Sequence, residues 1–181
     1  MSEKIILGFT GLISCGKGTA AKHFKEKYNA ETFRFSTMLR DVLDRLYLKH
    51  SRDNMSGIST VLREFFGQDL MAKVMAKDVD SSKSQLIIVD GIRRMDDVKY
   101  LRKLPNFKLA SIEADMKSRY ERLISRSENP DDKTKTWEEF EADHKLETEL
   151  TILDTMKAAD IIINNNSSLE DFKKQLDKLV K

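Results

Sequence analysis

The sequence predicts a single-domain α/β protein in which a five-stranded parallel sheet lies between two layers of helices. Short apolar runs alternate along the chain with longer amphipathic stretches, and this alternation is typical of strands joined by helical crossovers. The length of 181 residues suits one domain. The run Leu86-Ile87-Ile88-Val89 is almost entirely β-branched, as expected of a central strand that is covered on both faces.

Each predicted element follows from a local pattern of apolar residues. The strands come from short apolar runs, and they are predicted at residues 5–9, 32–35, 86–89, 108–112 and 160–163. The helices come from apolar residues that recur at helical spacing. They are predicted at residues 17–28, 38–46, 58 to about 79, from the fourth strand through 126, from 137 onward and at 169–180. Residues 127–136 contain no apolar side chain and are predicted to form a polar loop around Pro130.

The composition excludes several classes of protein. A net charge of +2 is too small for a general nucleic-acid binder, whose pI is usually above about 9 and whose basic residues concentrate on one face. Cys15 is the one cysteine, so the chain cannot form an internal disulfide or supply a structural zinc site with its three histidines. No apolar run approaches the ~18 residues that span a bilayer, and the N-terminus lacks the features of a signal peptide. We therefore expect a cytoplasmic protein without a membrane partner.

A glycine-rich segment between the first strand and the first helix carries the clearest chemical signal. Residues 11–17, Gly-Leu-Ile-Ser-Cys-Gly-Lys, match the phosphate-loop pattern G-x-x-x-x-G-K, and Gly18 replaces the usual Ser or Thr at the eighth position. Glycines let backbone N–H groups turn toward phosphate oxygens, and the following helix directs the positive end of its dipole at them. Lys17 is expected to reach the β- and γ-phosphates of ATP, and Thr19 a bound Mg²⁺. The predicted nucleotide-binding residues are Gly11, Ser14, Cys15, Gly16, Lys17, Gly18 and Thr19.

Further segments extend a resemblance to adenylate kinases. The Gly-Lys-Gly-Thr form of the loop is the form found in those enzymes. Residues 35–40, Phe-Ser-Thr-Met-Leu-Arg, resemble the segment that opens the monophosphate-binding helix, and residues 89–94, Val-Asp-Gly-Ile-Arg-Arg, resemble the segment after the central strand. Arg122 and Arg126 resemble the pair that leads into the lid. The resemblance implies a three-layer αβα P-loop NTPase fold with a helical acceptor-binding segment and a short lid.

A closer resemblance covers almost the whole chain. It is to small adenylate-kinase-like proteins of unassigned function that are known mainly from archaea. The shared features are Asp-Gly-Ile-Arg after the central strand, Leu62-Arg63-Glu64 with Gly67, and Thr-Trp-Glu-Glu-Phe at residues 136–140. A further one is an Ala-Asp-x-x-Ile-x-Asn ending, which starts at Ala159-Asp160 and includes Ile161 to Asn164. More distantly, the chain is similar to dephospho-CoA kinases and to phage-type deoxynucleoside-monophosphate kinases. These resemblances identify a family and leave the phosphate acceptor open.

The chain departs from the family pattern at two places. After Phe140 the relatives carry several arginines, whereas Lys145 is the one surely basic side chain among residues 141–147 here. Proline is absent between Ile92 and Arg93, so either Arg93 or Arg94 is the expected ligand of the acceptor phosphate. The first departure bears on the efficiency of phosphate transfer more than on ATP binding.

The resemblance, together with the chemistry of phosphoryl transfer, defines the expected site. Catalysis of this transfer consists of positioning and of neutralising charge on the transferring oxygens, and arginine suits it because its guanidinium binds phosphate bidentately. The expected catalytic residues are Lys17, Asp90, Arg93 and Arg126, with Asp90 and Thr19 at the metal and Arg122 on the ATP side. The expected acceptor-binding residues are Ser36, Arg40, Arg63, Arg93 and Arg94. Arg119 and the histidines at 23, 50 and 144 are interpreted as surface residues.

The resemblance implies transfer of the γ-phosphate of ATP, with Mg²⁺, to a nucleoside or deoxynucleoside monophosphate. The alternatives are a dephospho-CoA kinase-like enzyme and an ATPase that acts as an assembly factor or switch. A long exposed apolar or basic docking surface would favour the ATPase, and the sequence does not indicate one. The expected layout is one kinase domain with a core at about 1–35, 82–127 and 158–181, an acceptor-binding insertion at about 36–81, and a lid with its following helix at about 128–157. The expected partner is a small-molecule acceptor, and the expected state is a monomer or a homodimer.

Overall fold

A five-stranded parallel sheet organises the fold within residues 4–125, 132–145 and 147–180, the ranges that the computed structural model describes. The strands are β1 Ile5–Thr10, β2 Glu31–Arg34, β3 Leu86–Ile92, β4 Phe107–Glu113 and β5 Ile161–Asn164. Their spatial order is β2-β3-β1-β4-β5, and every neighbouring pair is parallel. The predicted α/β fold with five parallel strands is therefore confirmed.

Helices connect the strands and cover both faces of the sheet. They are α1 Lys17–Tyr28, α2 Phe35–Arg45, α3 Arg52–Phe66, α4 Leu70–Ser81, α5 Met95–Val98, α6 Met116–Ser125, α7 Trp137–Asp143, α8 Glu147–Lys157 and α9 Leu169–Asp177. Short 3-10 turns lie at Leu101–Lys103, Asp132–Thr134 and Lys178–Val180. None of the helices within the described ranges is long and apolar enough to cross a membrane.

The boundaries differ from the predicted ones in three places. The helical region predicted from 58 to about 79 is divided into two helices, because α3 ends at Phe66 and α4 starts at Leu70. Gly67 has a φ of 101°, a conformation that favours glycine, and its N–H bonds to the carbonyl of Arg63. Phe35 begins α2 rather than ending β2, and β3 continues through Asp90 to Ile92.

Two apolar clusters fill the space between the sheet and its helices. On one face, Phe9 of β1 packs with Phe24 of α1 and Phe172 of α9. On the other face, Val89 of β3 packs with residues of α2 and α4, among them Met75. Because β3 is covered on both faces, Leu86 to Val89 are all buried, which explains why this strand reads as a continuous apolar run.

The register of the strands brings several chain segments to one edge of the sheet. Asp90 of β3 pairs in register with Phe9 of β1, and Phe9 lies two residues before Gly11, where the glycine-rich loop begins. Thr10 pairs with Ser111 on the other side of β1. The carboxyl ends of β1, β3 and β4 therefore meet at the edge where ligands bind in open parallel sheets.

Candidate active site

The loop from Gly11 to Gly16 joins β1 to α1 at this edge. Gly16 stands at the N-cap of α1 with a φ of 114°, and no side chain caps the helix. The first N–H groups of α1 are consequently left for another acceptor, and a phosphate is the acceptor that such a helix end favours. Ser14 also has a positive φ, 59°, and its Oγ is buried without a hydrogen-bond partner in the part of the chain that the structure describes. Within the loop, Cys15 is buried and its thiol is free.

The side chain of Lys17 turns back toward the loop, and its ammonium group contacts the loop backbone. Its Nζ donates to the carbonyl of Gly11 at 2.6 Å and to that of Leu12 at 3.1 Å. It also lies 3.7 Å from Sγ of Cys15, and among the described residues no carboxylate pairs with this ammonium, so its partners are all uncharged as the structure gives them. A phosphate oxygen would be a stronger partner than either carbonyl, because charge-assisted hydrogen bonds are roughly twice as strong as neutral ones. Gly18 and Thr19 follow on the first turn of α1, and both are exposed.

Asp90 supplies a buried carboxylate beside the loop. Its residue surface is 5 % exposed, and Oδ2 lies 3.3 Å from Nε of Arg34. Oδ1 is buried and has no hydrogen-bond partner among the described residues, which costs free energy unless a ligand provides one. The described residues contain no cluster of three His, Cys, Asp or Glu side chains that could hold a metal. A Mg²⁺ ion fits such a site, because it is commonly held by one or two carboxylates together with substrate phosphates and water.

Arg122 is joined to the loop through Asn165, a residue that the sequence did not single out. Arg122 Nη2 donates to the carbonyl of Asn165 at 2.8 Å, and Asn165 Nδ2 donates to the carbonyl of Cys15 at 2.8 Å. Arg122 Nη1 is buried and has no hydrogen-bond partner within the described ranges. Asn165 follows β5 directly and is the final Asn of the Ala-Asp-x-x-Ile-x-Asn pattern, but its place beside the loop depends on the sheet order.

The residues predicted on the acceptor side lie on α2, α3 and the turn after β3. Arg40 Nη1 donates to Ser36 Oγ at 2.9 Å, one turn earlier in α2. Arg63 is held by the protein itself: Nη1 donates to the carbonyl of Gln68 at 2.7 Å, and Nη2 lies 3.6 Å from Oδ1 of Asp97. The side chain of Arg63 therefore braces α3 against the turn after β3, and its binding to an acceptor phosphate stays a prediction.

Asp97 organises the turn that carries Arg93 and Arg94. Its Oδ2 accepts from the backbone N–H of Arg93 and from that of Arg94, each at 3.1 Å. Burial raises the pKa of Asp97, while the two N–H groups and the Arg63 guanidinium act in the opposite direction. The Arg93 side chain is exposed and that of Arg94 is half-buried. Which of the two arginines faces an acceptor stays open, and the predicted site residue Arg126 lies outside the described residues.

Two residues interpreted as surface positions, Arg119 and His23, are instead buried. Arg119 is 4 % exposed and contacts the phosphate loop, and His144, which directly follows α7, is half-buried and contacts Arg119. His23 is also buried and contacts Asp177 of α9. The burial of Arg119 is not predicted from the sequence, because a lone arginine on an amphipathic helix has no sequence signal for burial.

The predicted lid loop at 127–136 is described only in part. Its residues 132–134 form a 3-10 turn, and its residues 127–131 lie outside the described ranges.

The chain is similar in sequence to UPF0200 proteins. A UPF0200 protein of Sulfurisphaera tokodaii is 29 % identical over 189 residues, which covers 100 % of this chain and 98 % of the relative. A UPF0200 protein of Methanocaldococcus jannaschii is 29 % identical over 178 residues, covering 97 % and 89 %. The relatives thus match this chain along nearly its whole length.

Solved structures show the same fold at low sequence identity. A shikimate kinase from Bacteroides thetaiotaomicron has a TM-score of 0.66 at 16 % identity, covering 97 % of this chain and 96 % of that one. The protein TT1252 from Thermus thermophilus has a TM-score of 0.60 at 15 % identity, covering 98 % and 97 %. The sequence family described as an AAA domain matches residues 10–141, more than half of the chain. The chain therefore belongs to this AAA domain family and has the fold of P-loop kinases.

Proposed function

We propose that this protein transfers the γ-phosphate of ATP to a nucleoside or deoxynucleoside monophosphate. The observation that supports this most is that an ammonium without a carboxylate partner and a carboxylate oxygen without a hydrogen-bond partner occur at the same edge of the sheet, among the described residues. Among the described residues Lys17 Nζ contacts two carbonyls and the sulfur of Cys15 but no carboxylate, and Asp90 Oδ1 has no hydrogen-bond partner. The first group suits the phosphates of the donor, and the second suits a cation bound to those phosphates.

Different residues would bind the ATP phosphates, the Mg²⁺ ion and the acceptor phosphate. The free N–H groups at the start of α1 and the Lys17 ammonium bind the phosphates of ATP. Asp90 would hold Mg²⁺, which would neutralise charge on the phosphate oxygens. The buried Arg122 Nη1 and Ser14 Oγ offer two more polar groups beside the loop. Arg40, with Arg93 or Arg94, would bind the acceptor phosphate, which needs no general base because it is already an anionic nucleophile.

Coupled ADP production with a panel of acceptors tests the proposal. The purified protein is incubated with ATP, Mg²⁺ and one of AMP, CMP, UMP, GMP, dCMP, dTMP or dephospho-CoA. One monophosphate is expected to raise the rate well above the acceptor-free rate. Lys17→Ala is expected to lower kcat/KM by about 10²- to 10³-fold, because it removes a charge that meets the transferring phosphate. Lys22→Ala is the matched control, since Lys22 lies on the same helix and its side chain is 73 % exposed.

An exposed apolar surface on α3 favours a second candidate, an ATPase that acts as a switch or assembly factor. Phe65 is 82 % exposed, Phe66 is 59 % exposed and Val61 is 58 % exposed. Exposed apolar side chains that lie together commonly mark a site of protein contact. ADP release that is slow and indifferent to every acceptor in the panel would favour this candidate over the kinase. A response to dephospho-CoA alone would retain the kinase chemistry and change the acceptor class.

A further inference from the structure

A buried arginine connects the phosphate loop to α7. Arg119 of α6 is 4 % exposed, and its Nη1 donates to the carbonyl of Ile13 inside the loop at 3.4 Å. Its Nε donates to the carbonyl of Ala114, after β4, at 3.0 Å. The same Nη1 lies 2.7 Å from Nε2 of His144, which directly follows α7. One guanidinium thus holds three segments that are distant in sequence.

The hydrogen bonds of His144 define its chemical form. Its Nδ1 lies 2.7 Å from the carbonyl of Phe140, which can only accept, so Nδ1 carries the proton. Arg119 can only donate, so Nε2 must present its lone pair. The contact therefore requires the neutral imidazole, and a side chain that only donates at this position cannot replace it.

Ring contacts fix α7 to α6 beside this hydrogen bond. The guanidinium carbon of Arg119 lies 5.6 Å from the ring centre of Phe140, which is fully buried. Tyr120, the next residue of α6, packs edge-on against Trp137 of α7 with ring centres 5.3 Å apart. Trp137 is the single tryptophan of the chain, so its fluorescence reports the packing of α7 alone.

We propose that Arg119 and His144 are positioning residues that couple the phosphate loop to α7, so that a nucleotide on the loop changes the packing of α7. The proposal rests on the proposed binding of ATP at this loop. Ile13 lies between the two glycines of the loop, and a phosphate that reorders the loop backbone would move the carbonyl that Arg119 holds. The rigid guanidinium would pass that movement to His144 and so to α7.

The test compares Trp137 fluorescence with and without saturating ADP and Mg²⁺, while isothermal titration calorimetry measures ADP binding separately. The wild-type protein is expected to show an ADP-dependent change in intensity or emission maximum. His144→Lys and His144→Ala are expected to lose that change, because neither side chain can accept from Arg119. His144→Gln is expected to retain it, because the amide carries both an acceptor and a donor. His50→Ala is the control, since His50 pairs with Asp44 on α2, away from α7.

The outcomes separate the coupling from the proposed function. Loss of the fluorescence change in His144→Lys, with ADP binding and a cooperative thermal transition retained, supports the coupling. If the wild-type protein binds ADP but its fluorescence stays constant, or if His144→Lys responds like the wild type, the coupling is overturned while ATP binding stands. If calorimetry detects no ADP binding by the wild-type protein, both proposals are overturned. Comparison of the Gln and Lys variants guards against a change that comes from misfolding.

Discussion

At the scale of single residues, Gly16 at the end of the phosphate loop and Gly18 in the first turn of α1 differ in which atoms an added methyl group would contact. A Cβ on Gly16 would lie 2.4 Å from Nδ2 of Asn165, and the φ of 114° is strained for any L side chain. A Cβ on Gly18 would meet no heavy atom within 4 Å. Gly16→Ala is expected to destabilise the nucleotide-free protein by about 1–3 kcal/mol. Gly18→Ala, inside α1, is expected to be neutral or to stabilise it by up to about 1 kcal/mol.

Urea unfolding of the two variants without nucleotide measures this difference. The difference combines the strained φ of Gly16 with the contact that a Cβ would make with Asn165. Equal midpoints for Gly16→Ala and Gly18→Ala would contradict the packing of Asn165 against the loop.

At the scale of elements, the turn between β3 and α5 depends on the carboxylate of Asp97. Asp97→Ala leaves two backbone N–H groups without their acceptor and removes the partner of Arg63, so it is expected to cost about 2–4 kcal/mol. Asp97→Asn keeps an acceptor oxygen and is expected to cost less. Asp96→Ala, at the exposed neighbouring position, is the control and is expected to change the free energy of unfolding little.

The pH dependence of Asp97→Asn tests the burial of this carboxyl. Because burial raises its pKa, the ionised form is less favourable in the folded than in the unfolded chain. Asp97 therefore favours folding most below its unfolded pKa of about 3.9, and that contribution is lost as the pH rises through the folded pKa. The stability deficit of Asp97→Asn relative to the wild type should accordingly be smaller at pH 7 than at pH 4. A deficit that grows toward neutral pH would contradict this assignment.

Helices α1 and α9 are joined by a second carboxylate, Asp177. It accepts from Lys27 and from Tyr28, and His23 Nε2 lies 2.7 Å from its Oδ1. The hydrogen bonds from Lys27 and His23 hold the pKa of Asp177 well below its usual range. A lowered carboxyl pKa stabilises the fold above the unfolded value of about 3.9, and this contribution is lost as the pH falls toward the folded pKa.

Asp177→Asn is therefore expected to lower the Tm at pH 7 by more than it does at pH 3. Differential scanning calorimetry of both proteins at the two pH values measures this. Asp171→Asn, at an exposed position on the same helix α9, serves as the control. A Tm difference that is the same at both pH values would contradict the role of the ionised Asp177.

At the scale of the whole molecule, the sequence predicts what depends on local patterns and misses what depends on packing. The five strands and the loop before α1 are predicted because apolar runs and the phosphate-loop motif are read within a few residues. The contact of Asn165 with Cys15 depends on the order of the strands. The burial of Arg119 depends on where α7 packs, and the break at Gly67 depends on a backbone conformation. Long-range contacts of this kind have no periodicity to reveal them.

The central claim is that phosphate leaves ATP for an acceptor rather than for water. The measurement that tests it most directly follows γ-labelled ATP into its products, with Mg²⁺ and the most active acceptor of the panel. The account predicts that the label appears in the acceptor diphosphate, with little free phosphate, and that Lys17→Ala abolishes its transfer. Label recovered only as inorganic phosphate, at a rate that no acceptor changes, would contradict the kinase and favour the ATPase.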